Sequence, residues 1–215
     1  MLAAGRGERL GGSTPKSLRL LAGRPLVRWA VDALSAVCDV VLVAGGSDFL
    51  DDVQAAVPDA VAVTGGAQRS DSVRACLAVL PAEVEFVLVH DAARPLASAE
   101  LASRVLAALR DGAGAVVPVL PVADTVKVVD DDGWVIATPD RATLRVVQTP
   151  QGFARTVLVR AHASGADATD DAALVEAAGV RVRTVPGDPA AAKVTVPADL
   201  ESLAAVAAGT GGSRG

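Results

Sequence analysis

Nearly unbroken apolar runs recur along the chain, from Asp39 to Ala44, Ala60 to Thr64, Phe86 to His90 and Ala115 to Val119. Runs without polar alternation fit strands covered on both faces, as in a mostly parallel sheet. Between them, Pro25 to Val37, Ser70 to Leu80 and Ala99 to Arg110 carry apolar residues at helical spacing. Strand and helix alternate, which predicts an α/β fold, a mostly parallel sheet flanked by helices. From Thr125 the pattern changes: VKVV, DDDG and WVIA read as two extended runs joined by an Asp/Gly turn. That is the signature of a β-hairpin, an arm spanning about 122–148. Arg155 to Ala163 and Asp170 to Ala178 return to helical spacing, the second with Thr169 as its expected cap. A last strand from Arg181 to Val185 leads to Pro197, which suits the first turn of a closing helix reaching about Ala208.

The apolar stretch before Gly5 is only Met1 to Ala4, shorter than a usual strand of about 5 to 6 residues. This predicts either a very short first strand or a start further upstream.

The 215 residues suffice for one core, and one domain over 1–208 is expected, with a disordered glycine-rich tail at 209–215. Aromatic residues make up 2% of the chain, so the core must be built from small aliphatic side chains. A net charge of -5 argues against a general nucleic-acid binder, which needs a basic surface to neutralise phosphates. Any phosphate chemistry must use local basic clusters. Cys38 and Cys76 lack the paired spacing of a zinc or redox site and are expected as buried thiols. No stretch approaches the roughly 18 to 20 apolar residues of a membrane span, and no signal region opens the chain; a cytoplasmic protein is expected.

The candidate chemistry lies in six segments. Gly5 and Gly7 can close a backbone turn around phosphate oxygens, with Arg6, Arg9 and Lys16 adding positive charge. It is not the dinucleotide fingerprint, whose third glycine would fall at Leu10, and no P-loop Gly-Lys-Ser/Thr is present. His90 and Asp91 stand where a strand gives way to a loop, the usual edge for ligands in open α/β sheets. There Asp91 could hold a metal or a hydroxyl, or simply cap a turn, and His90 reads more readily as structural. Gly65 and Gly66 form a second glycine turn before a helix, with Ser70 as a possible cap. Thr125, Lys127 and Arg141 surround the hairpin, with Thr149 just beyond it, and Thr169 and Asp170 open a later helix. Lys193 is a cation between two apolar elements, where burial without a partner would be costly and a bound anion would offset it.

Taken together and in order, AAGRGERL, PKS, GGAQRSDSV, VHDAARP, DTVK, the Arg141 segment, TPQGF, TDDA and KVTVPADL resemble the 2-C-methyl-D-erythritol 4-phosphate cytidylyltransferase family, from Met1 to about Leu203. The resemblance implies a Rossmann-like nucleotidyltransferase fold and a homodimer clasped by the hairpin arm. It implies transfer of CMP from CTP to 2-C-methyl-D-erythritol 4-phosphate, with Mg²⁺, in the non-mevalonate route to isoprenoid precursors. By the same resemblance, Arg9 and Lys16 stabilise the transition state, while Arg141 and Lys193 hold the acceptor phosphate. Arg141 and Thr125 would reach into the partner subunit's site. Asp91, Arg94, Thr149 and Thr169 would line the acceptor pocket. Ala4, Gly5, Gly7, Lys16, Gly65, Gly66, Arg69 and Ser72 would surround CTP. Mg²⁺ would use mostly phosphate oxygens and water, with Asp91 as the candidate protein ligand.

The sequence departs from the family at its short first strand and at Ala67, where a polar residue beside the cytosine is expected. Three other readings make different demands. A cytidylyltransferase for another polyol phosphate, such as ribitol 5-phosphate, would keep the nucleotide half and change the acceptor pocket. A nicotinamide-dependent reductase would need the missing third glycine and an acidic residue about 20 positions on. A non-catalytic nucleotide-binding protein would tolerate loss of Arg9, Lys16 and Lys193.

Overall fold

The protein, a computed structural model describing residues 1–163 and 165–211, is organised around strands that run toward one edge. A short antiparallel pair, β1 (Leu20–Leu21) and β2 (Arg24–Pro25), precedes α1 (Leu26–Ser35). Then β3 (Leu42–Gly45), α2 (Leu50–Ala56) and β4 (Val61–Thr64) follow, with β3 and β4 parallel. Helix α3 (Arg69–Val79), β5 (Phe86–Val89), α4 (Ala99–Arg110) and β6 (Ala115–Pro121) complete the alternating part.

The first segment joins the two halves of the sheet: Ala3 N–H donates to the Ala44 carbonyl and Ala44 N–H to the Met1 carbonyl on one side, and Leu2 bonds on the other. Leu2 bridges in parallel to Ala44 within β3 and to Asp91 beyond β5. Its N–H donates to the His90 carbonyl at 2.7 Å, and its own carbonyl accepts from Ala92 N–H at 3.0 Å. Within the described residues the segment forms this bridge and no longer strand.

The arm is the expected hairpin: β7 (Val128–Val129) pairs antiparallel with β8 (Val135–Ala137). The chain returns through β9 (Arg145–Val147), antiparallel to the end of β6, and β10 (Gln151–Ala154), inserted antiparallel between β5 and β6. Helix α5 (Arg155–His162), α6 (Asp171–Ala177), β11 (Arg183–Pro186) and α7 (Pro197–Gly211) close the chain, with β11 parallel to β6. The order across the sheet is therefore β4, β3, Leu2, β5, β10, β6, β11, mostly parallel with β10 reversed.

Helices cover both faces. A Cβ at Gly152 on β10 would fall 2.4 Å from Val105 Cγ1 of α4, whereas the next residue, Phe153, is fully buried with Leu158 of α5 and Val175 of α6. Successive strand residues point to opposite faces, so α4 lies on one side and α5 and α6 on the other. Met1 and Ala3 pack with α1 and α2 on the α4 side, and Leu2 points toward the α5 and α6 side. No helix among the described residues is long and apolar enough to cross a membrane.

Two caps differ from expectation. Helix α6 is capped by Asp170, whose carboxylate accepts from Ala173 N–H at 2.9 Å, and not by Thr169. Helix α3 begins after Gln68, so Ser70 lies within its first turn. The closing helix reaches Gly211, past the expected end at Ala208, and residues 212–215 of the expected tail lie outside the described ones. Cys38 and Cys76 are free and only half-buried, and burial pushes both thiols up from their ordinary pKa.

Candidate functional site

Four parallel strand ends deliver four loops to one edge of the sheet. Residues 5–7 follow the first segment, 46–49 follow β3, 65–68 follow β4 and 90–95 follow β5. The first three loops, with Arg9 and Lys16, line a cleft of about 640 Å³. An adjoining pocket of about 270 Å³ shares Ala4, Gly5, Lys16, Gly66 and Ala67 with it and adds Arg69, Ser72, Asp91 and Lys193. The residues expected around the nucleotide are thus brought together with Asp91 and Lys193.

Gly7 and Gly66 are required by the geometry. Gly7 has φ +75°, and a Cβ there would meet Lys16 Cβ at 2.7 Å. A Cβ on Gly66 would fall 2.1 Å from Asp71 Cβ, while Gly66 N–H donates to the buried Ser72 hydroxyl at 3.2 Å. The second turn is also fixed by Asp71, whose carboxylate accepts from Gln68 N–H at 3.0 Å. Behind the first turn, the buried Ser17 hydroxyl donates to the Ala3 carbonyl at 3.0 Å.

Charge is concentrated between the turns. Lys16 is half-buried and donates to the Val194 carbonyl at 3.2 Å. Its pKa is lowered by desolvation first, and then by the neighbouring cations Lys193 and Arg9. Like charges crowded into one corner favour an anion among them. Lys193 differs from the sequence expectation: its side chain is 42% exposed and has a partner, Asp91 Oδ2, at 2.7 Å. Burial disfavours the Asp91 carboxylate, yet Lys193, helped by Arg69, still holds its pKa below the usual range.

The motif around Asp91 is braced by an internal network. Asp91 N–H donates to the Thr149 hydroxyl at 3.1 Å, and that hydroxyl lies 3.0 Å from His90 Nδ1. His90 Nε2 lies 3.2 Å from the Arg94 carbonyl, which can only accept. Nε2 therefore carries the proton and Nδ1 accepts from Thr149. His90 is fully buried, and desolvation pulls its pKa down to about 4, so it is neutral at pH 7 and structural, as its position suggested. Arg94 donates to the carbonyls of Ala191 at 2.8 Å and Val147 at 3.2 Å. Thr149 and Arg94 thus hold the strand ends around Asp91, and neither lines the two pockets.

A sequence model of the 2-C-methyl-D-erythritol 4-phosphate cytidylyltransferase family matches residues 1–208. The chain belongs to this family. Among relatives carrying that name, one from Frankia casuarinae is 53% identical over 202 residues, covering 92% of this chain and 76% of its own. Another, from Nocardia farcinica, is 51% identical over 202 residues, covering 92% and 88%. The crystal structure of the enzyme of that name from Thermus thermophilus is 39% identical, with TM-score 0.79, and covers 93% of this chain and 96% of its own. A 4-diphosphocytidyl-2C-methyl-D-erythritol synthase from Anaerococcus prevotii gives TM-score 0.84 at 29% identity, covering 96% and 93%. The fold is the Rossmann-like one of these family structures.

Besides Arg94 and Thr149, three further residues that the family resemblance singled out stand apart from the pockets of their own chain. Arg141 is exposed on the arm and donates to the Ala123 carbonyl. Thr125, also on the arm, is exposed. Thr169 is exposed just before the α6 cap. In the other direction, the sequence reading missed the loop 46–49, which lines the larger cleft and sends Asp48 to Arg6 at 2.7 Å. Its signal was available: Gly45 and Gly46 follow an apolar run, as Gly65 and Gly66 do. It also missed Gln151, which donates to Asp170 at 2.7 Å, and Asp199, which accepts from the N–H groups of Thr195 and Val196 and so fixes the segment carrying Lys193.

Proposed function

We propose that the chain transfers CMP from CTP to 2-C-methyl-D-erythritol 4-phosphate, giving 4-diphosphocytidyl-2-C-methyl-D-erythritol and pyrophosphate, as one nucleotidyltransferase unit over 1–208. The observation that carries this reading is the crowding of Arg9, Lys16 and Lys193 beside two glycine turns, with the Lys16 pKa lowered by burial and by the other two cations.

An acceptor phosphate is already ionised near neutral pH, so in-line attack on the CTP α-phosphate needs positioning and charge neutralisation more than a strong base. A cation about 4 Å from a developing charge is worth on the order of 4 kcal/mol at an effective dielectric near 20, before desolvation. In this reading the turns at Ala4, Gly5, Gly7, Gly65 and Gly66 hold the nucleotide, with Arg69 and Ser72 fixing the second turn. Arg9 and Lys16 neutralise charge on the transferring phosphate, and Lys193 exchanges part of its contact with Asp91 for the acceptor phosphate. Arg94 and Thr149 keep Asp91 in place beside the acceptor.

The described residues hold no group of three or more His, Cys, Asp or Glu suited to a metal. A single carboxylate at Asp91 fits Mg²⁺ carried in on the triphosphate, whose oxygens and waters would supply most ligands. When bound, the ion would neutralise phosphate charge. Arg141 and Thr125 lie on a projecting arm whose Trp134, Val135 and Ile136 are exposed, which suits a homodimer in which each arm reaches the partner's acceptor pocket. A cytoplasmic location, small-molecule substrates and no nucleic-acid partner complete the reading.

The acceptor is tested by supplying CTP and Mg²⁺ with 2-C-methyl-D-erythritol 4-phosphate or ribitol 5-phosphate and identifying the product by mass. Cytidylylation of the first at a kcat/KM at least about tenfold above the second supports it. A preference for ribitol 5-phosphate overturns the acceptor assignment.

A further inference from the structure

The first residue of α6, Asp171, is fully buried and has two charged or chargeable neighbours. One carboxylate oxygen lies 2.6 Å from an Arg69 guanidinium nitrogen, the other 2.9 Å from His162 Nε2. A carboxylate in such a place is costly unless paired. Burial pushes its pKa up, but His162 and Arg69 together hold it below the ordinary value, so it is ionised near neutral pH. Capping does not account for it, because Asp170 already caps α6.

What the pair connects is more informative. Arg69 is the first residue of α3, separated by two residues from the Gly65–Gly66 pair, and lines the smaller pocket with Lys16, Asp91 and Lys193. Next to it, the Ser70 hydroxyl donates to Asp167, a second tie between the start of α3 and the segment before α6. The α6 end is itself anchored to the sheet: Gln151 of β10 donates to Asp170 and accepts from Ala172 N–H at 3.2 Å. A continuous path therefore runs from β10 through the start of α6 to the second glycine turn.

We infer that Asp171 is a positioning residue which, through Arg69, fixes the nucleotide-binding turn at Gly65–Gly66 and keeps the Arg69 guanidinium away from Asp91. Asp91 is the carboxylate that lines Arg69's pocket, where it already pairs with Lys193. Without the Asp171 charge, Arg69 turns toward Asp91, competes with Lys193 and loosens the turn. This inference rests on the nucleotidyltransferase reading.

Its test compares wild type, Asp171→Asn, Arg69→Met and the double variant by steady-state pyrophosphate release, by calorimetric titration with CTP, and by thermal unfolding. Asp171→Asn is expected to raise the KM and Kd for CTP about tenfold with kcat within about threefold, and the double variant to be no worse than Arg69→Met alone. Additive losses, or an unchanged KM for CTP in Asp171→Asn, overturn the inference. If Asp171→Asn does not fold, Arg69→Met decides alone: it must weaken CTP binding, and unaltered binding overturns the inference. Wild type that binds CTP but releases no pyrophosphate sinks the transfer reading, while weaker binding in Asp171→Asn would still uphold the coupling. Wild type that does not bind CTP overturns both.

Discussion

Lys16 shares its corner of the cleft with two further cations and touches both pockets. Replacing it removes a charge whose value is greatest when phosphate charge is developing. Lys16→Ala is expected to leave the thermal unfolding midpoint within a few degrees of wild type and to lower turnover by about two orders of magnitude or more. Near-normal turnover would remove Lys16 from the mechanism. His90 acts on stability. The folded protein holds it neutral down to about pH 4, because desolvation disfavours the charged ring. In the unfolded chain it takes up a proton near pH 6.5. Its contribution is thus fully present above about pH 6.5 and is lost as pH falls toward 4, by on the order of 3 kcal/mol. Urea unfolding at several pH values should show this fall in wild type and a shallower one in His90→Asn. At this scale the sequence exposed the glycines and cations, because those residue types have few other uses in that pattern. It hid the partners: nothing in the string shows that Lys193 meets Asp91 or that Arg69 meets Asp171, since both pairs are about a hundred residues apart.

Helix α4 and the hairpin arm could be read from the sequence nearly residue for residue, because a strong apolar stripe and an Asp/Gly turn are local signals. Strand β10 could not. Gln151 and Gly152 look like loop residues, and they form a strand because β5 and β6 pair with them from both sides and Gly152 admits the side chains of α4. Helix α2, only seven residues long, has too few turns to establish a period. The arm carries the prediction that belongs here. If Arg141 serves the partner's site, mixing inactive Lys16→Ala subunits with inactive Arg141→Ala subunits restores one intact site in each mixed dimer. With random exchange, about a quarter of wild-type activity should return. Mixtures as inactive as their parents would show that each chain uses its own arm.

Over the whole molecule, strands converging on one edge place four loops around two adjoining pockets, the arrangement expected where ligands collect in open α/β sheets. The order of the motifs made this arrangement legible in advance, and the family match extends it across 1–208. The base-selecting contacts were not legible, because Ala67 offers no polar side chain and selection would fall to backbone groups whose direction depends on the folded turns. The most direct measurement is therefore pyrophosphate release by the purified chain with Mg²⁺, 2-C-methyl-D-erythritol 4-phosphate and each of the four ribonucleoside triphosphates in turn. Release with CTP, and with the other three at least about tenfold slower, is the expected result. Silence with every donor, or equal release with all four, would contradict cytidylyl transfer as the function of this site.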